Sequence, residues 1–158
     1  MPKGKNSTFN LTLVGFLLVM TLMTDSPQTH GGFLMSSLGN KIGCHFYHAN
    51  IFHWAVNSMA LLLMRPSPKQ MLCSFPIAFA SMFCTDTPTV GISAMIYAYI
   101  GLNIVRWKVS MIDWATFIIA NLFTLFMPKV AFGVHFASFS LGIIAYYIQY
   151  HIKRWSMN

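Results

Sequence analysis

The chain has 158 residues, of which 56% are hydrophobic and 8% charged, and ten basic residues against three acidic ones give a formal net charge of +7. Soluble domains carry about 25% charged residues, so these values exclude a soluble globular protein. All three acids are aspartates. A zinc protease of the H-E-x-x-H type is therefore impossible, and a glycosidase with two flanking carboxylates is strongly disfavoured.

Six apolar segments follow one another along the chain, at residues 8–24, 48–64, 71–84, 90–105, 111–127 and 130–152. A bilayer core of about 30 Å requires roughly 20 apolar residues per helix, with ~17 as the usual lower limit. Several segments are at or below that limit, which indicates short helices or a locally thinned bilayer. We therefore predict an all-α, polytopic membrane protein of six transmembrane helices, forming a single domain over residues 1–158.

We expect the first segment to remain uncleaved, and we expect the connection after it to have a structural or functional role. No small-residue cleavage site of the A-x-A type follows the segment, so we expect it to be retained. The connection at residues 25–47 is the longest, and it carries four glycines and two histidines. Connections of more than ~15 residues are uncommon in compact domains and usually have a function, so we expect this one to lie in the membrane interface or to form part of a site.

Positive charges predict the orientation of the six helices. With both termini in the cytoplasm, only Lys41 and Lys129 lie on the outer side, and the other eight basic residues lie on the cytoplasmic side. Because basic residues are enriched in cytoplasmic loops, we expect both termini to be cytoplasmic. Topology then explains the net charge of +7, and we expect no nucleic-acid partner.

Four polar side chains lie inside the predicted helices, where such groups are costly and usually functional. His53 and Asn57 are in the second segment, Ser93 in the fourth and His135 in the sixth. These three helices are predicted to run inward from the outer face. The four residues lie about three to nine residues in from that face, so at 1.5 Å per residue they share one layer of the bilayer.

Helical spacing groups these residues further. His53 and Asn57 are four residues apart and share a face, as do Ser93 and Tyr97. Small residues at helical spacing permit close helix crossings in lipid. They are found on the fourth segment and after His135 on the sixth, at Ala94, Ala98, Gly101, Ser138 and Gly142. A crossing of these helices brings Ser93 to His135, which a serine nucleophile and its base require.

Each of these residues also has an ordinary structural interpretation. A serine in a membrane helix usually bonds the carbonyl four residues earlier, and a single membrane histidine is more often a hydrogen-bonding packing residue than a base. Stripes of small residues are more often simple packing. The functional interpretation therefore depends on the joint pattern at one depth.

Three sequence motifs match a known family. Residues 48–57, His-Ala-Asn-Ile-Phe-His-Trp-Ala-Val-Asn, fit H-x-x-x-x-H-x-x-x-N, and residues 91–97, Gly-Ile-Ser-Ala-Met-Ile-Tyr, are close to G-x-S-G-x-x-Y. Residues 135–142 are similar to H-x-x-G-x-x-x-G. In these motifs and in their order, the chain resembles the rhomboid intramembrane serine proteases. It departs from them at Ala94 and Ser138, which replace glycines, and in lacking the W-R pair of the first outer loop.

The resemblance implies a six-helix rhomboid-like bundle with a Ser–His dyad. Ser93 would be the nucleophile and His135 the general base, with Tyr97 packed against the His135 ring. His53, Asn57 and the backbone N–H of Ser93 would form the oxyanion hole. Further positions would support and pack around the dyad, namely Gly91, Ala94, Ser138 and Gly142.

Helical phase indicates a structural role for His48, at the entrance of the second helix. At about 100° per residue, His48 falls about 140° away from the face of His53. The substrates would be transmembrane segments of other membrane proteins, cut near the outer face without a cofactor or a metal. We expect a multi-pass protein of a bacterial cytoplasmic membrane, with the site open to the outer side of the bilayer.

Two alternatives from other classes stay open. One is a catalytically silent rhomboid-like protein that binds or sorts client membrane helices. The other is a haem or metal protein, although the histidine spacing does not keep one helical face and no cysteine pair supports a zinc site. The histidines in question are His45, His48, His53 and His135. A disulfide between Cys44 and Cys84 is topologically allowed, but we expect free thiols.

Overall fold

The protein is almost entirely helical in the parts of the chain that the structure describes. The structure is a computed structural model, and it describes residues 3–23, 38–84, 89–105, 110–125 and 132–155. These residues contain no β-strand, so the all-α prediction is confirmed for them. The elements in chain order are α1 Lys3–Leu22, α2 Leu38–Gly43, a 3-10 helix Cys44–Phe46, α3 Ile51–Met64, α4 Pro68–Ser81, α5 Ser93–Ile104, α6 Met111–Leu125 and α7 Phe132–Trp155.

Helix α3 begins later than hydropathy predicts because a side chain caps it. The apolar segment starts at residue 48, but Asn50 has an extended backbone, and its side chain accepts a hydrogen bond from the backbone N–H of His53 at 2.8 Å. Such a cap satisfies an N–H group that has no partner in the first turn. The prediction that His48 belongs to this helix is therefore wrong, since the helix starts after the cap.

Helix α4 covers residues 68–81 rather than the predicted 71–84. Its start is a capping box, in which Ser67 accepts from the backbone N–H of Gln70 at 3.3 Å and Gln70 accepts from that of Ser67 at 2.8 Å. Pro68 lies at the first position of the helix, where no N–H is required. The capping residues are polar, so a hydropathy pattern begins the helix too late.

The other helices cover the predicted segments with shifted ends. Helix α1 spans residues 3–22 instead of 8–24, and α5 spans 93–104 instead of 90–105. Helix α6 covers residues 111–125 of the predicted 111–127, and α7 covers 132–155 against the predicted 130–152; residues 126, 127, 130 and 131 lie outside the described residues. The predicted connection at residues 25–47 lies outside the described residues up to residue 37. Its second part is not a plain loop, since α2 and the 3-10 helix occupy residues 38–46.

Helix α5 lies in the core of the described bundle. Its side chains from Ser93 to Asn103 are all buried. Helices α7 and α4 pack against α5 and against each other, and α1 packs against α3. The helices that carry Ser93 and His135 are therefore direct neighbours.

Many large apolar side chains are exposed on the surface of the described helices. Exposed examples occur on six of the described helices, and they include Phe16, Phe52, Leu72, Ile119 and Ile148. Among the described residues, one stretch, Phe132–Lys153, is long and apolar enough to cross a membrane. Three other apolar helices are shorter, namely Asn6–Leu22, Ile51–Met64 and Ser93–Ile104. The six-span arrangement therefore stays a prediction.

Candidate active site

Ser93 and His135 lie in contact at the ends of two neighbouring helices. Ser93 is the first residue of α5, and His135 is in the first turn of α7. Nε2 of His135 lies 2.8 Å from Oγ of Ser93, which is hydrogen-bond distance. Both residues are only 6% exposed. A hydroxyl and an imidazole are thus paired in a site shielded from solvent.

A glycine contact between α5 and α7 explains this proximity. A Cβ added to Gly142 would lie 2.6 Å from the carbonyl oxygen of Ala98 and 3.1 Å from Cα of Gly101. Real Cβ atoms do not approach a backbone oxygen so closely, so only glycine allows this crossing. Ala94 of α5 is fully buried, so its methyl group fits into the core at the position where the rhomboid motif has a glycine.

The ring of Tyr97 holds the imidazole of His135. The two rings are stacked, with centroids 4.4 Å apart and an angle of 3° between their planes. On another side, Tyr97 contacts Phe117 of α6, with ring centroids 5.4 Å apart. Nδ1 of His135 is buried and has no hydrogen-bond partner among the described residues. Among the described residues, stacking on Tyr97 therefore fixes the orientation of the imidazole.

His53 and Asn57 of α3 face a turn that comes just before Ser93. Gly91 has a φ of 112°, a conformation that favours glycine. A Cβ at Gly91 would lie 2.9 Å from Cε1 of His53 and 3.1 Å from Nδ2 of Asn57. Nδ2 of Asn57 is buried and lacks a hydrogen-bond partner in the described structure. An unpaired donor thus lies beside the turn that leads into Ser93.

His48 lies against His53 from outside the helix. The two rings meet edge to face, with centroids 5.2 Å apart and 76° between their planes. Nδ1 of His48 is 3.4 Å from the hydroxyl oxygen of Thr21, which itself donates to the carbonyl of Leu17 at 2.7 Å. The predicted separation of about 140° from His53 is wrong, because it assumed a helix through residues 48–53. His48 is fully buried and braces the His53 ring.

The 3-10 helix makes a contact with the site that the motifs do not indicate. The backbone N–H of Gly91 donates to the carbonyl of Cys44 at 2.8 Å. The next residue, His45, is fully buried and meets Phe75 of α4 edge to face, with ring centroids 5.6 Å apart. Burial lowers the pKa of His45 to about 4, against a smaller opposite effect of the Gly91 backbone. The sequence placed Cys44 and His45 in the long outer connection but gave no sign of the bond between Cys44 and Gly91.

Ser138 also has a partner that lies outside the sequence motifs. Its hydroxyl donates to Oγ of Ser81 at 2.7 Å, and the Ser81 hydroxyl donates to the carbonyl of Ala78 at 2.6 Å. Ser81 is the last residue of α4, and no motif includes it. A polar residue at a helix end beside an apolar run is too common a feature to have identified this pair.

The described residues contain no group of three His, Cys, Asp or Glu side chains that could hold a metal ion. The four histidines of the metal alternative do not converge on one point there: His48 and His53 adjoin each other, whereas His135 pairs with Ser93. Cys44 is a buried free thiol, and Cys84 is free and exposed. The arrangement described is therefore a hydroxyl–imidazole pair with neighbouring amide and imidazole groups.

Comparisons with known proteins leave the family open. No family model, no curated protein and no solved structure matches the chain. The likeness to rhomboid proteases is therefore carried by the three sequence motifs.

Proposed function

We propose that the protein is an intramembrane serine protease of the rhomboid type, with Ser93 as nucleophile and His135 as general base. The observation that carries the proposal is the distance of 2.8 Å between Oγ of Ser93 and Nε2 of His135. A nucleophile and its base must lie within hydrogen-bond reach, and a third group should orient the base. Tyr97 is the candidate for that third role, since its ring is stacked on the imidazole.

The chemistry follows the usual course of serine acyl transfer. Oγ of Ser93 attacks the scissile carbonyl carbon while its proton passes to Nε2 of His135. The imidazolium then gives that proton to the leaving amine, and an acyl-enzyme on Ser93 results. A water molecule gives a proton to His135 and attacks the acyl carbon; the bond to Oγ of Ser93 breaks, Oγ takes the proton back from His135, and the second product leaves as a carboxylic acid. Neither a metal nor a cofactor takes part in these steps.

The groups around Gly91 are suited to stabilise the negative oxygen of the tetrahedral intermediate. Ser93 is the first residue of α5, where backbone N–H groups have no partner within the helix. His53 and Asn57 lie against Gly91, two residues before Ser93. Donors placed in advance around a developing oxyanion usually provide the largest single contribution to such catalysis. We assign these three groups to the oxyanion hole.

The substrates we propose are transmembrane segments of other membrane proteins. Exposed apolar side chains on the outer surface support a lipid environment, and α7 is long enough to span a bilayer. Eight of the ten basic residues fall on one side when both termini are cytoplasmic. The proposal accordingly includes six spans in a bacterial cytoplasmic membrane, with the dyad in the outer half of the bilayer.

The test is cleavage of single-span reporter proteins reconstituted with the purified protein in liposomes. We expect wild type to cut a reporter whose transmembrane segment contains small, helix-destabilising residues, and Ser93→Ala and His135→Ala to be inactive. Ser140→Ala is the matched control, because Ser140 is another serine of α7, five residues from His135. This variant should cut the reporter at the wild-type rate. If folded wild type binds reporters without cutting any of them, the catalytically silent alternative replaces this proposal.

A further inference from the structure

Two buried serines link the helix of the base to the helix that precedes the nucleophile. Ser81 and Ser138 are both fully buried, and the Ser138 hydroxyl donates to Oγ of Ser81 at 2.7 Å. Ser81 in turn donates to the carbonyl of Ala78 at 2.6 Å. Both hydroxyl protons are thus used, and the bond between the two residues runs from α7 to α4.

The position of this serine pair connects it to the dyad. Ser138 is three residues after His135, so the two side chains lie on one face of α7. Ser81 ends α4, from which the chain continues toward Gly91 and Ser93. Helix α4 packs against both α5 and α7. The serine pair therefore joins the helix that carries the base to α4, which also packs against the helix of the nucleophile.

A comparison within α4 shows that this bond is not the default behaviour of a helical serine. Ser74, also buried, donates to the carbonyl of Gln70 four residues earlier, at 2.8 Å. Serines in apolar helices commonly satisfy themselves in this way. The Ser138 hydroxyl instead donates to a different helix. Close packing alone would be served by a glycine or an alanine at this position.

We propose that Ser81 and Ser138 are positioning residues that keep His135 within reach of Ser93. Neither residue touches the reacting atoms, and both act through the placement of α7 against α4 and α5. This inference rests on the proposed protease function. A hydrogen bond between helices in a bilayer has a modest strength. If the bond between Ser138 and Ser81 forms only when His135 is within reach of Ser93, its loss should slow the reaction by about three- to twentyfold.

The experiment is a double-mutant cycle on the rate of labelling by a fluorophosphonate probe. Ser81→Ala, Ser138→Ala and the double variant are compared with wild type, and kinact and KI are measured separately, together with Tm. Ser74→Ala is the matched control, because it removes a buried hydroxyl from the same helix without breaking a bond between helices. Ser138→Gly provides a second variant of the pair, with the residue of the family motif.

We expect each single variant to lower kinact by about three- to twentyfold, the double variant to lower it no further, and KI to stay unchanged. Ser74→Ala should label like wild type. An unchanged kinact in all variants, or losses of Tm without a change in kinact, would assign the pair a purely structural role and overturn the inference. Folded wild type that does not label at all overturns the proposed function and, with it, this inference.

Discussion

The two halves of the candidate site are held in different ways. In the dyad half, made up of Ser93, Tyr97 and His135, two helices cross with glycine backbones in contact and a ring stack fixes the imidazole. In the turn half, made up of Gly91 with His53 and Asn57, one backbone hydrogen bond to Cys44 holds a glycine of positive φ. Damage to the helix crossing that supports the first half should therefore affect the fold, whereas damage to the second half should affect mainly the rate.

The largest expected effect is on the helix crossing of the dyad half. In Gly101→Ala the new Cβ would overlap the carbonyl oxygen of Phe139 and lie 3.1 Å from Cα of Gly142. Backbone atoms of a packed helix cannot move aside cheaply, so we expect a loss of about 3 kcal/mol or more in the free energy of unfolding. Probe labelling should be lost as well, because α7 is displaced. Thermal unfolding and labelling measure the two effects.

Gly15→Ala is the matched control for this substitution. Gly15 lies on the exposed side of α1, and a Cβ there would meet nothing within 4 Å. Alanine is the better helix former by about 0.5–1 kcal/mol, so this variant should be as stable as wild type or slightly more stable. If Gly101→Ala has the same stability and the same labelling by the probe as Gly15→Ala, the close crossing of α5 and α7 is not what brings Ser93 and His135 together.

The second effect concerns the turn half. Gly91→Ala places a Cβ on a residue with a φ of 112° and against the side chains of His53 and Asn57. We expect cleavage to slow by about a thousandfold, since both side-chain donors would be pushed out of place and each known donor of this kind accounts for about 10²–10³ in rate. The protein should still fold.

Gly43→Ala tests whether this loss is specific. Gly43 has ordinary helical angles, and its nearest neighbour would be the Tyr47 ring at 3.6 Å. It should cleave at nearly the wild-type rate. Equal losses in the two variants would mean that any change near the 3-10 helix impairs the protein, and the contrast between the two halves would fail.

A third effect isolates one donor of the turn half. Asn57→Ala removes a buried amide whose Nδ2 has no partner among the described residues, so little stability should be lost. We expect kcat to fall by about a hundredfold, with KM nearly unchanged, because the donor acts in the transition state. The neighbouring Ser58→Ala should have no such effect on kcat. A fall in Tm with an unchanged kcat would make Asn57 a packing residue.

The smallest effect is a pH dependence of stability at the 3-10 helix. Burial lowers the pKa of His45 from 6.5 to about 4, so its contribution to stability is complete above pH 6.5 and is lost as the pH falls from 6.5 toward 4. His45→Phe keeps an aromatic ring against Phe75 and removes the titration. Between pH 7.5 and pH 5.5, the free energy of unfolding should fall by about 1.4 kcal/mol more in wild type than in His45→Phe.

Unfolding free energies of wild type and His45→Phe at the two pH values provide this measurement. The other histidines are present in both proteins, so the difference between the curves reports His45 alone. Parallel curves would show that His45 is not held neutral by burial beside the turn half.

The sequence indicated the dyad half better than the turn half, for a physical reason. Ser93 and Tyr97 are one helical turn apart, and the small residues after His135 follow the same period. Helical geometry therefore relates the residues within each of these two helices directly. The bond from Gly91 to Cys44 joins backbone groups that are far apart along the chain and have no side-chain signature. Contacts of that kind depend on the tertiary fold and cannot be obtained from periodicity.

The helix starts show a similar division. The polar residues Asn50 and Ser67 set the starts of α3 and α4, but a hydropathy pattern counts polar residues as loop. The Ser67–Gln70 capping box was present in the sequence and was readable from its spacing. The pairing of Ser81 with Ser138 was not, since either serine could have bonded its own helix.

The most direct test of the central claim is the position of the adduct formed by a fluorophosphonate probe. Folded protein is labelled, digested and mapped by mass spectrometry, with Ser93→Ala and His135→Ala in parallel. We predict one adduct, on Ser93, that is absent from both variants. No adduct on folded wild type, or an adduct on another serine that survives in Ser93→Ala, would contradict the assignment of Ser93 and His135 as a catalytic pair.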